Sequence, residues 1–239
     1  MLGFLFGKKG KFNLQPGMLV EIERKIDEET YKSYFCEVLD ATQRKARIQM
    51  PTENNRPVKI AMDEKVKCIA LIGSTLFEVN MLVKQTSGKD FEAIISKKVN
   101  SFDTMLTKMK KEEKFSVELE FPLDFRAIST SHLQRGKTKT ISEEYVHVVT
   151  NLPVPEGTDL KVIFRIPDSP EVETEARSEK SEQLDEDSKK SKTQFTFTEK
   201  SVGSEEVEQV KQFVIHYQRR IERRPIPETE ELPPPRKEV

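Results

Sequence analysis

Between Gly17 and Ile95 apolar and polar residues alternate with a period of two, and short polar turns break the pattern at regular intervals. Period two is the signature of half-buried strands, so this stretch has few options beyond an antiparallel sheet. In Met18 to Lys25 the apolar Met18, Val20 and Ile22 alternate with Leu19, Glu21 and Glu23, and Asp27-Glu28-Glu29 closes the run. Tyr31 to Leu39 alternates again. Ala46 to Met50, Val58 to Ile60, Lys65 to Ile72, Leu76 to Val83 and Phe91 to Ile95 each read as strands, with Pro51 and Asn54-Asn55 as punctuation. Some six or seven short segments in about 80 residues argue for a small barrel or sandwich.

The pattern changes between Ser96 and Lys114. Lys97-Lys98 and Lys108 to Lys114 bracket a short stretch with Phe102, Met105, Leu106 and Met109 at helical spacing, which reads as a basic interdomain connector. Alternation resumes at Phe115 to Phe121, continues in Leu123 to Ile128 across Pro122, and returns in Lys137 to Ile141, Val146 to Thr150 and Leu160 to Ile166. Pro167 to Thr193 has almost no large apolar residues and reads as two weak strands with a charged hairpin tip at Leu184 to Lys190. The clearest helix is Ser204 to Arg224, with one apolar stripe of Val207, Val210, Val214, Tyr217 and Ile221. Ser204 caps it, Glu205 and Glu206 complement its N-terminal dipole, and Arg219, Arg220, Arg223 and Arg224 complement the other end before Pro225. That arginine cluster reads first as a solvated helix end. Pro225 to Val239 carries no core-forming pattern and is expected to be disordered.

Composition removes several function classes. A chain of 239 residues suits two domains of about 100 residues each. Lys and Arg total 40 against 41 Asp and Glu, so no overall basic field draws in nucleic acid. Cys36 and Cys68 fit neither a metal-ligand spacing nor a disulfide framework and read as reduced core thiols, which points to a cytoplasmic location. The apolar Met1 to Phe6 precedes its lysines, the wrong order for a secretion signal, and no segment approaches the ~20 apolar residues of a membrane span. His132, His147 and His216 have no ligand-spaced companions, the nine glycines never form a phosphate-cradling loop, and no Ser or Cys sits in a nucleophile elbow. Neither an enzyme, nor a metal site, nor a required cofactor is expected.

What remains is a layout. Pro16-Gly-Met-Leu-Val-Glu-Ile22, the basic connector, Phe115-Ser-Val-Glu-Leu-Glu-Phe-Pro-Leu123, Thr140-Ile-Ser142, Leu152-Pro-Val-Pro-Glu-Gly157 and Phe213-Val-Ile-His-Tyr-Gln-Arg-Arg-Ile-Glu-Arg-Arg224 together resemble the YcgR-type flagellar brake family. That family joins a YcgR N-terminal domain to a PilZ domain. The resemblance spans about Asn13 to Arg224 and rests on order and phrasing. It implies two small antiparallel β-barrels in tandem, the second followed by an amphipathic helix. The divisions would be an N-terminal barrel at 13–98, a basic connector at 99–114, a PilZ-like barrel with its helix at 115–224, and a tail at 225–239.

The resemblance also implies a ligand, cyclic di-GMP, held in the family by a connector of the form QRRxxxR and a barrel motif (D/N)xSxxG. Planar guanidinium groups suit it because they fork onto phosphate or guanine edges and stack on the base. Here Lys111, Glu112 and Ser116 stand where the three arginines would be, and a slipped register substitutes Lys110 and Lys114. Thr140-Ile-Ser142-Glu-Glu-Tyr145 keeps only Ser142 of the second motif, with Tyr145 in place of the glycine. Losing two or three bidentate contacts at ~1.5 to 3 kcal/mol each weakens a micromolar site by several powers of ten.

The expectation is therefore a non-enzymatic bacterial signalling protein whose cyclic di-GMP site, reduced to Lys110, Lys111, Lys114 and Ser142, is lost or weakened. By the same resemblance its protein partner would be a flagellar motor component. A second reading keeps an intact receptor in which the lysines join Arg219 and Arg220 in an atypical site. A third, nucleic-acid binding by the barrels, lacks the interleaved basic and aromatic residues that stack bases.

Overall fold

A computed structural model describes residues 12–27, 30–53, 56–104, 106, 114–184 and 190–223. The chain is mainly β: two closed, six-stranded antiparallel barrels follow one another, and a helix follows the second.

The first barrel has the order β1 (Leu19–Lys25), β2 (Tyr31–Ala41), β3 (Lys45–Gln49), β8 (Asp90–Asp103), β7 (Thr75–Thr86) and β6 (Lys65–Ile72), with β6 closing on β1. The short β4 (Thr52–Glu53) and β5 (Arg56–Pro57) pair apart from it. Pro16 and Gly17 make the entry turn, where Gly17 holds a φ of 82° and donates its N–H to the Val38 carbonyl. Val20, Ile22, Cys36, Val38, Cys68, Val79 and Phe91 fill the interior, as their alternation dictates. Both cysteines are free and buried there, and burial pushes the Cys36 thiol up to about 12 and the Cys68 thiol higher still.

In the second barrel β10 (Pro122–Ala127), β13 (Asp159–Phe164), β14 (Val172–Gln183), β15 (Ser191–Phe197), β12 (Tyr145–Thr150) and β11 (Gln134–Ser142) form the ring. A β10–β11 pairing closes it, and the short β9 (Ser116–Glu118) adds to β11. Leu123, Phe125, Val148, Val162, Phe164, Phe195 and Phe197 point inward. The helix, α1 (Glu205–Arg223), begins as its sequence requires, with the Val207 N–H bonded to the Ser204 hydroxyl.

Four local expectations change. Val58 to Ile60 is not a strand, because the chain there only returns from the β4–β5 ribbon. Phe115 to Phe121 contributes just three paired residues, Ser116–Glu118. The expected connector at 99–114 loses its first residues to the first barrel: β8 continues to Asp103, with Phe102 opposite Leu76 and Ser101 opposite Phe77. Phe102, placed on a helical stretch by spacing alone, sits on a strand because β7 offers twelve residues of pairing edge. Met105, Lys108 to Glu113, the hairpin tip at 185–189 and the tail at 225–239 lie outside the described residues.

Candidate functional site at the barrel seam

Two of the four residues singled out from sequence, Lys110 and Lys111, lie outside the described residues. The other two meet at the β11–β12 turn. Ser142 Oγ accepts N–H bonds from Glu144 (3.1 Å) and Tyr145 (2.9 Å) and donates to the Tyr145 carbonyl (3.1 Å). Its hydroxyl thus serves the turn that it begins. Lys114 Nζ lies 2.5 Å from the Glu144 carboxylate, whose hydrogen bond raises the lysine pKa. Tyr145 packs its ring 4.9 Å from His147. Glu143, next in the turn, is held by Lys211 of α1 at 2.8 Å, and Lys211 also lies over the Phe115 ring.

The strongest concentration of charge in the described chain is elsewhere, between the barrels. Cross-strand register sets Phe35 opposite Glu21, Glu21 opposite Ile69 and Ile69 opposite Glu78, one row across the outer wall of the first barrel. Leu19, Leu71 and Leu76 continue the apolar part of that wall. Helix α1 lies on it. Ile69 and Leu76 belong to one continuous core with Phe115, Val210 and Phe213, against which Leu19, Phe35 and Leu71 also pack. Phe35 stacks on Phe213 at 4.5 Å and meets the His216 ring edge-on at 5.2 Å.

Glu21 is fully buried at this seam, and three helix side chains converge on it. His216 Nδ1 lies 2.7 Å from Oε2, Arg220 Nε 2.8 Å from Oε1 and Arg219 Nη2 3.3 Å from Oε2. An ionised carboxylate only accepts, so Nδ1 carries the proton of the histidine bond. His216, Arg219 and Arg220 are spaced i, i+3 and i+4, which places them on one helix face. Arg219 also approaches Glu23 at 3.7 Å and Glu78 at 3.8 Å, while Arg220 reaches the Pro167 carbonyl at 3.2 Å and Asp168 at 3.3 Å. Burial alone would raise the Glu21 carboxyl; the bond from His216 and the charges of Arg220 and Arg219 outweigh it and hold the group well below the usual carboxylate range.

Local sequence pattern does not mark this arrangement. Alternation puts Glu21 in the non-core half of a strand, His216 has no ligand-spaced companion, and the arginines read as a solvated helix end. The helix in fact has two covered faces: Tyr217 meets Phe121 of the second barrel, while Phe213 and His216 meet the first. Ile221, assigned to the stripe, is exposed. The available signal was Phe213, His216 and Arg220 at three- and four-residue spacing, a second stripe of mixed polarity.

No protein-family model matches the chain, and no curated protein does. Among solved structures, the inhibitor of motility MotI/DgrA of Bacillus subtilis has 18% identity over 89% of this chain and 100% of its own, with a TM-score of 0.35. The K. pneumonia MrkH–c-di-GMP complex has 12% identity over 87% and 90%, with a TM-score of 0.39. Escherichia coli YcgR in complex with c-di-GMP has 11% identity over 87% and 86%, with a TM-score of 0.35. At such values the superpositions bear no weight, and the functional reading rests on this chain's own residues. Among the described residues no helix is long and apolar enough to cross a membrane, and no three His, Cys, Asp or Glu side chains gather as metal ligands.

Proposed function

We propose that the chain is a non-enzymatic, PilZ-like regulatory protein of the YcgR type, acting in the cytoplasm by presenting its barrels to a protein partner, with its cyclic di-GMP site lost or weakened. The observation that carries this reading is the β11–β12 turn. The Ser142 hydroxyl is committed to its own backbone, and Lys114 pairs with Glu144. The Lys114 side chain is 68% exposed and free to turn, but a dianionic ligand entering here would still sit beside the Glu144 carboxylate. Arg219 and Arg220, the guanidinium groups an atypical receptor would recruit, are buried against Glu21, which speaks against that alternative. MotI is described as an inhibitor of motility, and MrkH and YcgR are solved with c-di-GMP. Those names select the ligand to try, and the sequence resemblance selects a flagellar motor component as the partner to try.

Isothermal titration with cyclic di-GMP at physiological salt tests the reading. The expected outcome is no saturable heat at tens of micromolar messenger. Tight binding that Lys111→Ala abolishes would overturn it.

A further inference from the structure

We propose that Glu21 is the release point of a latch between the two barrels: helix α1, built into the second barrel, docks on the first through His216, Arg219 and Arg220, and the docked state persists only while that carboxylate is charged. The inference stands apart from the question of messenger binding, since it concerns the seam and not the β11–β12 turn.

The geometry makes Glu21 the hub. It is the nearest carboxylate to His216, to Arg219 and, at 2.8 Å, to Arg220. The other charged groups facing it are already committed or more distant. On β1, Glu23 is held by Lys67 of β6 at 2.9 Å; on β7, Glu78 lies 3.7 Å from the same lysine. Asp168, in the loop before β14, has a side chain 61% exposed and therefore solvent-screened. With the Glu21 charge removed, the carboxylates left to Arg219 would be 3.7 Å away or more, and Arg220 would keep only the neutral Pro167 carbonyl at 3.2 Å and that exposed aspartate.

A second observation separates a latch from a permanent rivet. Arg219 Nε and Arg220 Nη2 are buried without an acceptor among the described residues. Orphaned donors lower the advantage of the docked state, because each keeps a desolvation cost that water would relieve on opening. Such under-satisfied ions narrow the gap between the docked and the open state, the direction that a two-state element requires. Buried ion sets are also asymmetric: removing one member is far more damaging than replacing all of them with apolar groups.

That asymmetry supplies the test, on the full chain at neutral pH. Glu21→Gln keeps the shape and removes the charge. Its expected result is an increased radius of gyration and maximum dimension in small-angle X-ray scattering, an unchanged far-UV β signal, and one calorimetric transition splitting into two. The combined variant Glu21→Met, His216→Phe, Arg219→Met, Arg220→Met removes the ions together and should restore the compact profile and the single transition. Should Glu21→Gln fail to fold, the pair Arg219→Met and Arg220→Met, which leaves the buried carboxylate without either guanidinium, should show the same expansion and split transition, and a wild-type profile in it would overturn the proposal. Wild-type scattering and a single transition in the single variant would overturn the proposal. So would a combined variant as expanded as the single one, because docking would then depend on the detailed fit of the native side chains and not on the balance of charge.

Discussion

A single hydroxyl shows how far local chemistry carries. Ser142 closes the β11–β12 turn with three short bonds to residues no more than three positions away. Such bonds contribute about 0.5–1.5 kcal/mol each after exchange with water, and not additively. Ser142→Ala is therefore expected to destabilise the chain by about 1–2 kcal/mol, read as a fall in Tm of roughly 2–4 °C per kcal/mol. A variant with unchanged Tm would remove the turn from the list of supports. All three partners lie within one turn, so this role is purely local. Glu21 is the opposite case. Its partner His216 is 195 residues away, and nothing in an alternating strand marks which outward carboxylate will be covered. Glutamate among alternating apolar residues reads as solvated unless the covering element is already in hand.

Among elements, strands β1, β2, β6 and β7 were readable because each strand's own alternation decides which side chains enter its barrel. Their partners were not, and neither was the end of β8, since pairing edge rather than composition carries that strand to Asp103. Closure of the second barrel depends on β11, which pairs with both β10 and β12 at Gly136. A Cβ there would stand 2.5 Å from Val148 Cγ1 and 3.0 Å from the Val149 carbonyl oxygen, one side chain and one backbone atom in a packed wall. Gly136→Ala is expected to cost about 1–3 kcal/mol by overpacking. Chemical denaturation monitored at the tyrosines would check it, and an unchanged midpoint would mean that the strand yields at no cost. The helix was half legible. Its stripe toward the second barrel follows the 3.6-residue period, whereas the face toward the first mixes Phe213 with His216 and Arg220 and so lacks the apolar continuity that marks a buried surface.

For the molecule as a whole, the seam ties stability to acidity. The Glu21 carboxyl titrates below its ordinary value of 4.5 in the folded chain. In the unfolded chain it takes up a proton first as pH falls, so its contribution is complete above about 4.5 and is progressively lost below that value. Unfolding free energy measured by urea from pH 5.5 to 3 should therefore decline more steeply in the wild type than in Glu21→Gln. Parallel slopes would show that the group carries no linkage. His147, half-buried on β12, has its pKa lowered by burial and by Lys192, so it too is protonated first in the unfolded chain and adds to the decline below its ordinary value of 6.5; it is present in both proteins, so the difference in slope reports Glu21.

The order of synthesis gives the covered wall another meaning. The first barrel is complete once β8 has emerged, yet the helix that shields Phe35, Ile69, Leu71 and Leu76 is made last among the described elements, with 195 positions separating Glu21 from His216. From Asp103 at the end of β8 to His216 is 113 residues (216 − 103), which at ribosomal speeds of ~5–20 residues per second takes on the order of 6–20 s. For that time a nascent chain displays a greasy, carboxylate-bearing flank with its cover still untranslated. Chaperone demand during translation should therefore be set by this flank, and polar replacements at Phe35 or Leu71 would ease production while weakening the finished molecule.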